Sequence, residues 1–254
     1  MSAAGLSVER IGTAVVITLD RPEAKNAISR ALMGALVETV EQASADPEAR
    51  AVILASTGDV FAAGGDLREF EQLRQASGGV DQVLGMGRSL QSFERCDVPV
   101  IAAMQGAAFG GGCELMLACD LVVMETQAVL AFRQASMGLS CAWGGSVRLM
   151  ERVGPMRASQ ILLTGQPVSA HQALEWHLIN AEVPHGMARP YALQWAHEIA
   201  QHPRAAIAAA KHGLLQVRQA WRGNALEGEA RVFSSLWDGA DHRAAMAAFL
   251  HRSK

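Results

Sequence analysis

The chain has 254 residues, of which 50% are hydrophobic and 19% are charged. This length and composition favour one large globular domain, or one domain with an appendage, and exclude intrinsic disorder. The formal net charge of −3, without a long basic run, excludes a nucleic-acid-binding surface. No stretch approaches the roughly 18 uninterrupted apolar residues of a membrane span, and MSAAGLSVERIG lacks the features of a signal peptide. We therefore expect a cytoplasmic protein whose cysteines are reduced.

The first predicted elements alternate between strands and helices. TAVVITLDRP predicts a strand that ends before Pro22, because proline cannot continue a sheet ladder. Ser29 is the predicted N-cap of an amphipathic helix whose apolar face is formed by Leu32, Leu36, Val40 and Ala43. ARAVILAS predicts a buried second strand. TGDVFAAGGDLREF then predicts a loop and a helix, with Asp66 as the N-cap and Glu69 at the spacing of a capping box.

The second half predicts further strands and then a helical region. VPVIAAMQG predicts a third strand that leads into GAAFGGGCELMLACD, a glycine run followed by a helix, and LVVMET predicts a fourth strand. From Ser146 the chain is mostly helical, with extended structure at INAEVP and a helix that begins at Pro203. Within residues 72–95, ASGG predicts a mobile surface loop. This order of elements predicts an α/β domain with a helical C-terminal region.

The two glycine loops share an arrangement that can carry chemistry. Each follows a predicted strand and precedes a helix, so its backbone N–H groups lack intrahelical partners and lie at the positive end of the helix dipole. Two such groups directed at one oxygen would form an oxyanion hole, and Glu114, in the first turn of the second helix, would act beside it as a general acid or base. A structural interpretation stays open, in which glycines 110–112 allow close packing and Glu114 complements the helix dipole.

Two other classes of site are excluded by spacing. The chain has no G-x-G-x-x-G and no G-x-x-x-x-G-K motif, so neither a Rossmann dinucleotide-binding fingerprint nor a P-loop is present. The histidines of HEIAQH, His197 and His202, are five positions apart and do not share a helix face, so they do not form a zinc-binding pair. The sequence therefore predicts no metal site.

Four motifs together resemble a known family. LDRPEAKNA, FAAGGDLREF, GAAFGGGCELMLACD and LTGQPVSAHQALEWHLINAEVP occur in this order, and they resemble the crotonase superfamily, which includes the enoyl-CoA hydratases and isomerases. The resemblance implies a β-β-α spiral core over residues 1–190, and a helical region over residues 191–254 that packs on a neighbouring subunit in a homotrimer or a dimer of trimers. It also implies an acyl-CoA thioester substrate, and no cofactor besides the coenzyme A that the substrate carries.

The resemblance also assigns roles to individual residues. It places the two oxyanion N–H groups on Gly65 and Gly111 and the acid–base role on Glu114. The coenzyme A contacts that it implies are Ala24, Lys25, Ala63, Asp66, Leu67, Arg68, Phe249 and Arg252. Of these, Phe249 and Arg252 resemble a pair that reaches the coenzyme A of a neighbouring subunit. A helix cap remains the favoured role of Asp66, and Lys25 and Arg68 also fit solvated surface charges.

One position departs from the hydratase pattern. Enoyl-CoA hydratases of this family use two glutamates; the first matches Glu114, and we assign the second, 22 positions on, to Ser136. Hydration takes a proton from water and supplies a proton to the α-carbon, and a serine hydroxyl is a poor acid near neutral pH. Efficient hydration is therefore not expected, whereas one carboxylate suffices to move a double bond.

The sequence thus predicts an acyl-CoA enzyme of the enoyl-CoA hydratase/isomerase type. Glycine N–H groups would stabilise a thioester enolate, and one glutamate would move the proton. A methylmalonyl- or ethylmalonyl-CoA decarboxylase is an alternative, because MGLSCAWGG, with Trp143, resembles such members and decarboxylation leaves only an enolate to protonate. Trp143 also fits an acyl-pocket wall or the core. A catalytically weak acyl-CoA-binding protein is a third hypothesis. Glu114 argues against it, because a protein that only binds the thioester has little use for a carboxylate at the reacting carbon.

Overall fold

The computed structural model describes residues 5–252. In this range the strands are Leu6–Ile11 (β1), Ala14–Leu19 (β2), Ala51–Ser56 (β3), Val60–Ala62 (β4), Val100–Met104 (β5), Ala107–Phe109 (β6), Leu121–Glu125 (β7), Val129–Ala131 (β8), Val168–Ser169 (β9) and Ala181–Val183 (β10). The α-helices are Arg30–Ala45 (α1), Leu67–Arg74 (α2), Gly79–Ser89 (α3), Gln91–Arg95 (α4), Gly111–Ala118 (α5), Gly145–Thr164 (α6), Ala170–Glu175 (α7), Ala188–Ala200 (α8), Arg204–Arg222 (α9), Ala225–Trp237 (α10) and Ala240–Arg252 (α11).

The larger sheet has the strand order β1-β2-β3-β5-β7-β10. It is parallel from β2 to β10, and β1 pairs antiparallel with β2 at its edge. Every residue of β2 and β5 is buried, as is all of β3 except Ser56. This burial explains why these strands read as near-continuous apolar runs, since a parallel sheet is covered on both faces.

The smaller sheet has the order β4-β6-β8-β9, with β4, β6 and β8 parallel. Each pair of consecutive strands from β3 to β8 contributes one strand to the larger sheet and the next strand to the smaller one. The first two pairs are followed by the helices α2 and α5. This β-β-α spiral confirms the predicted fold class.

The helices cover the larger sheet on both faces. Ser29 caps α1, its side chain accepting a hydrogen bond from the Leu32 amide at 3.2 Å, and the predicted apolar face of α1 is buried. On the other face, α8 places Ala188, Ala192 and Ala196 against the sheet. The predicted boundary between residues 190 and 191 lies inside α8. Residues 191–200 pack on the sheet of their own chain, and the packing of residues 191–254 on a neighbouring subunit stays a prediction.

Two segments differ from the sequence prediction. Strand β1 was not predicted: LSVERI lies at the edge of the sheet, only Leu6 is buried, and its pattern is therefore weak. Residues 72–95, predicted to hold a mobile loop, are mostly helical, because Val83 and Met86 of α3 and Phe93 of α4 enter the core. The ASGG motif, residues 76–79, forms the short turn between α2 and α3 and the first residue of α3.

A buried ion-pair network ties α9 to the core. Glu94 of α4 pairs with Arg222 at 2.7 Å and with Arg148 of α6 at 3.1 Å, and Arg218 pairs with both Glu94 and Glu151 at 3.0 Å. Burial alone would raise the pKa of Glu94, but the arginines lower it to about 2.

Among the helices described within residues 5–252, none combines the length and the apolar character that a membrane span requires.

Candidate active site

The two glycine loops lie side by side because β4 and β6 are neighbouring parallel strands. A Cβ atom built on Gly64 would lie 3.2 Å from the Gly111 nitrogen and 2.9 Å from the Phe109 carbonyl oxygen, so the two loops are in contact. Within residues 5–252, the backbone N–H groups of Gly65 and Gly111 donate to no protein acceptor. Both donors are therefore available to a bound oxygen atom.

Packing as well as chemistry requires glycine in these loops. A Cβ on Gly65 would lie 2.4 Å from the Phe70 ring, and one on Gly111 would lie 2.5 Å from the Trp143 ring. The two rings meet edge to face, with centroids 6.4 Å apart. A Cβ on Gly112 would lie 2.2 Å from the Ala62 carbonyl oxygen, so close packing explains this glycine by itself.

Glu114 is a buried carboxylate on α5 with three hydrogen-bond donors. It is 3% exposed, and its Oε2 accepts from the backbone N–H groups of Trp143 at 2.7 Å and Gly145 at 2.9 Å. Its Oε1 accepts from the side-chain amide of Gln134 at 3.0 Å. Burial, and then the negative charge of Glu229, raise the pKa of Glu114 to about 7, although the three donors favour the ionised form. A carboxyl group with this pKa can both give and take a proton near neutral pH.

Gln134, and not Ser136, is the residue that the structure brings to Glu114. Ser136 is exposed, and its hydroxyl donates to the Arg133 carbonyl oxygen at 2.7 Å. A serine hydroxyl extends only one atom beyond Cβ, whereas the longer Gln134 side chain reaches the buried carboxylate. Side-chain length within FRQAS is the signal that could have identified Gln134. The Oε1 atom of Gln134 is buried and has no partner among the described residues.

Comparison with known proteins now identifies the family. The model of the enoyl-CoA hydratase/isomerase family matches residues 9–254. The chain belongs to this family. The match covers both glycine loops, Glu114 and Gln134, and it confirms the superfamily that the four sequence motifs predicted.

Relatives and solved structures agree with this family. The chain is 34% identical to a 2,3-dehydroadipyl-CoA hydratase of Escherichia coli (strain K12), covering 97% of this chain and 96% of that one. It is 33% identical to a probable enoyl-CoA hydratase of Rhizobium meliloti (strain 1021), covering 100% and 98%. An enoyl-CoA hydratase/isomerase structure from Mycobacterium paratuberculosis superposes with a TM-score of 0.90 at 27% identity, covering 96% and 98%. These relatives favour the hydratase/isomerase type over the decarboxylase and weak-binder alternatives.

Two of the predicted coenzyme A segments of this enoyl-CoA hydratase/isomerase family member adjoin each other. Ala24 and Lys25 end a short turn after β2, where Lys25 is exposed and has a φ of 52°. The Ala63 amide donates to the Lys25 carbonyl oxygen at 3.0 Å. Asn26 fixes this arrangement, because its buried side-chain amide donates to the Thr57 and Val60 carbonyl oxygens, both at 2.8 Å.

The first turn of α2 holds the next three predicted contacts. Asp66 is the N-cap, as favoured, and its Oδ1 accepts from the Arg68 amide at 3.2 Å and the Glu69 amide at 3.4 Å. The reciprocal half of the predicted capping box is absent, because a Glu69 oxygen accepts from the Arg30 amide at 2.9 Å while the Asp66 amide donates to Ile28. Leu67 is half-buried and Arg68 is exposed.

The last predicted pair lies on α11. Phe249 is 44% exposed on this helix, and the side chain of Arg252 lies outside the described residues. Helix α11 packs against α2 of the same chain. The contact of Phe249 and Arg252 with a neighbouring subunit's coenzyme A stays a prediction.

Proposed function

We propose that the protein transfers protons at the reacting carbons of an unsaturated acyl-CoA thioester, with Glu114 as the transferring group. The observation that carries this proposal is the position of Glu114. A buried carboxyl group with a pKa of about 7 lies one helical turn from Gly111, whose N–H has no protein acceptor. A proton-transferring group and a donor for the substrate oxygen are thus presented by one short helix.

The two glycine N–H groups would polarise the substrate. If the thioester carbonyl oxygen accepts from Gly65 and Gly111, the negative charge that develops on this oxygen in the enolate is stabilised. Removal of one such donor typically costs about 3 kcal/mol of transition-state stabilisation. A side chain at either position would collide with an aromatic ring, so a substitution there would displace the N–H donor.

Double-bond isomerisation needs only the one carboxyl group. In a β,γ-unsaturated thioester, the ionised Glu114 removes a proton from the α-carbon, and the electron pair of the C–H bond delocalises onto the carbonyl oxygen and the γ-carbon. The protonated Glu114 then returns the proton to the γ-carbon, so the double bond shifts and no atom is gained or lost. A pKa of about 7 favours both steps, because neither protonation state is costly near neutral pH.

Hydration is the second candidate, and the unpartnered Gln134 Oε1 favours it. This buried atom can accept a hydrogen bond from a water molecule. Glu114 would take a proton from the water as its oxygen bonds to the β-carbon, and would then protonate the α-carbon. Gln134 would orient the water without accepting a proton itself. The relatives named as hydratases also support this candidate.

The coenzyme A and assembly assignments belong to the same proposal. Lys25 and Arg68 carry exposed positive charge that suits the phosphates of coenzyme A, beside Ala24, Ala63 and Leu67. The reaction moves protons, so it invokes no metal or redox cofactor. Exposed apolar side chains on α9, namely Leu214, Val217 and Trp221, support an assembly through the C-terminal helices, for which we propose a homotrimer or a dimer of trimers. Light scattering coupled to size exclusion would measure its mass.

Mass spectrometry of CoA esters incubated in D2O tests the reaction. Crotonyl-CoA and 3-hexenoyl-CoA would be incubated with the wild type, Glu114→Gln and the control Glu227→Gln, whose side chain is 75% exposed. We expect isomerisation with deuterium incorporation, or addition of one D2O, in the wild type and the control, and neither in Glu114→Gln. Binding of butyryl-CoA, measured by calorimetry, should persist in all three proteins. Equal turnover in Glu114→Gln, or a wild type that neither reacts nor exchanges α-protons, would overturn the proposal.

A further inference from the structure

Glu229 is a second buried carboxylate near the site, and the proposed reaction does not use it. It lies on α10, is 9% exposed and faces the start of α6. Its Oε1 accepts from the Gly144 N–H at 2.6 Å and its Oε2 accepts from the Ser146 N–H at 2.8 Å. Glu229 therefore accepts hydrogen bonds from the same backbone segment that donates to Glu114.

The two carboxylates alternate along this segment. Residues 143–146 present four consecutive N–H groups at the start of α6, where the backbone has no intrahelical acceptors. Trp143 and Gly145 donate to Glu114, whereas Gly144 and Ser146 donate to Glu229. The N–H donors of the two carboxylates are therefore neighbours along the backbone. A movement of either carboxylate would shift the segment that holds the other.

The charges around the pair do not neutralise it. Within residues 5–252, no salt bridge joins a cation to Glu114 or Glu229. Of the nearby groups, Arg148 donates to the Trp143 carbonyl oxygen and pairs with Glu94. The adjacent thiols, Cys113 and Cys141, have pKa values raised by burial, so they are neutral. Two like charges across one short segment disfavour the ionised form of the more deeply buried group.

We propose that Glu229 is a positioning residue for the proton transfer, which fixes residues 143–146 around Glu114 and places a second carboxylate charge across this segment from it. This inference rests on the proposed role of Glu114. Glu229 does not touch the reacting atoms; it acts through the backbone of Gly144 and Ser146 and through its charge. A simple helix cap would stabilise α6 without changing the protonation of Glu114, which is the difference that an experiment can detect.

Carbon-13 NMR of glutamate carboxyl groups tests the proposal without requiring turnover. Protein labelled at glutamate Cδ would be titrated as the wild type, Glu229→Gln and the control Glu227→Gln, with Glu114→Gln identifying the Glu114 signal. We expect the Glu114 midpoint near pH 7 in the wild type and the control, and about one unit lower in Glu229→Gln, a tenfold change in proton affinity. An unchanged midpoint in folded Glu229→Gln would overturn the inference. Absence of turnover in the wild type would overturn only the proposed function.

Kinetics and a charge-retaining variant separate position from charge. In Glu229→Gln the acidic limb of the kcat/KM profile should move down with the NMR midpoint, while the KM for the CoA ester stays within about twofold. Glu229→Asp keeps the charge but is too short to hold both N–H groups, so it should keep the high midpoint and lose kcat. This variant also serves if Glu229→Gln does not fold. A low midpoint in Glu229→Asp, or a kcat equal to that of the wild type, would contradict the proposal.

Discussion

Replacement of Glu114 by glutamine should stabilise the protein at alkaline pH while it removes activity. Burial and the charge of Glu229 raise the pKa of Glu114 from 4.5 to about 7, which corresponds to a cost of about 3 kcal/mol for ionising the group in the folded chain. Below pH 4.5 the carboxyl is protonated in both states and costs nothing. As the pH rises from 4.5 to 7, only the unfolded chain loses the proton, so wild-type stability falls; above 7 the full cost is present.

Glutamine cannot ionise, so Glu114→Gln lacks this cost. One oxygen of the new side chain can still accept from Trp143 and Gly145, and Gln134 can turn its amide to accept from the new NH2 group. We expect the variant to exceed the wild type by up to about 3 kcal/mol near pH 8 and to match it within about 1 kcal/mol near pH 5. Urea unfolding at both pH values, with Glu227→Gln as control, measures the difference. A variant less stable than the wild type near pH 8 would refute the reasoning.

Four further substitutions give separate outcomes. Gly111→Ala places a methyl group 2.5 Å from the Trp143 ring and should lower kcat/KM at least about tenfold by displacing an oxyanion donor; steady-state kinetics that match the wild type would contradict this. Gln134→Glu supplies a second carboxyl group and should raise the ratio of hydration to isomerisation in chromatographic product analysis. Ser136→Ala should leave both rates unchanged. If Ser136→Ala changed this ratio and Gln134→Glu did not, Ser136 rather than Gln134 would belong to the site. Glu94→Gln leaves buried arginines partly unpaired and should cost about 3–5 kcal/mol near pH 7 in urea unfolding. Since the pKa of Glu94 is lowered to about 2, that deficit should shrink as the pH falls through 4.5 toward 2, and a deficit independent of pH would show that packing dominates.

The features that the sequence predicts well are those with a local physical cause. Strands β2, β3 and β5 are nearly continuous apolar runs because both faces of the sheet are covered. Ser29 and Asp66 are recognisable caps because each precedes a helix by one residue. The glycine loops can also be recognised in the sequence, because the close approach of two backbone segments requires glycine at fixed positions.

The features that it misses depend on distant partners. Glu229 lies 115 positions after Glu114 in the chain, and nothing in ALEGEARVF marks it as different from an exposed helical glutamate. The sequence does not single out Gln134, because the position of a side chain relative to Glu114 depends on the turn after β8, which counting positions does not resolve. Strand β1 was missed because an edge strand with one buried residue leaves little apolar pattern.

The spiral makes the candidate site a row across three neighbouring strands. Gly65 follows β4, Gly111 follows β6 and Gln134 follows β8, and these strands lie side by side in one parallel sheet. Neighbouring strands are about 4.8 Å apart, so each turn of the spiral delivers one group to the same edge at a fixed interval. In the proposed reaction, the chemistry could therefore change one turn at a time: a new residue at position 134 would alter the supply of protons, while the other two turns would still present their N–H groups to the substrate oxygen.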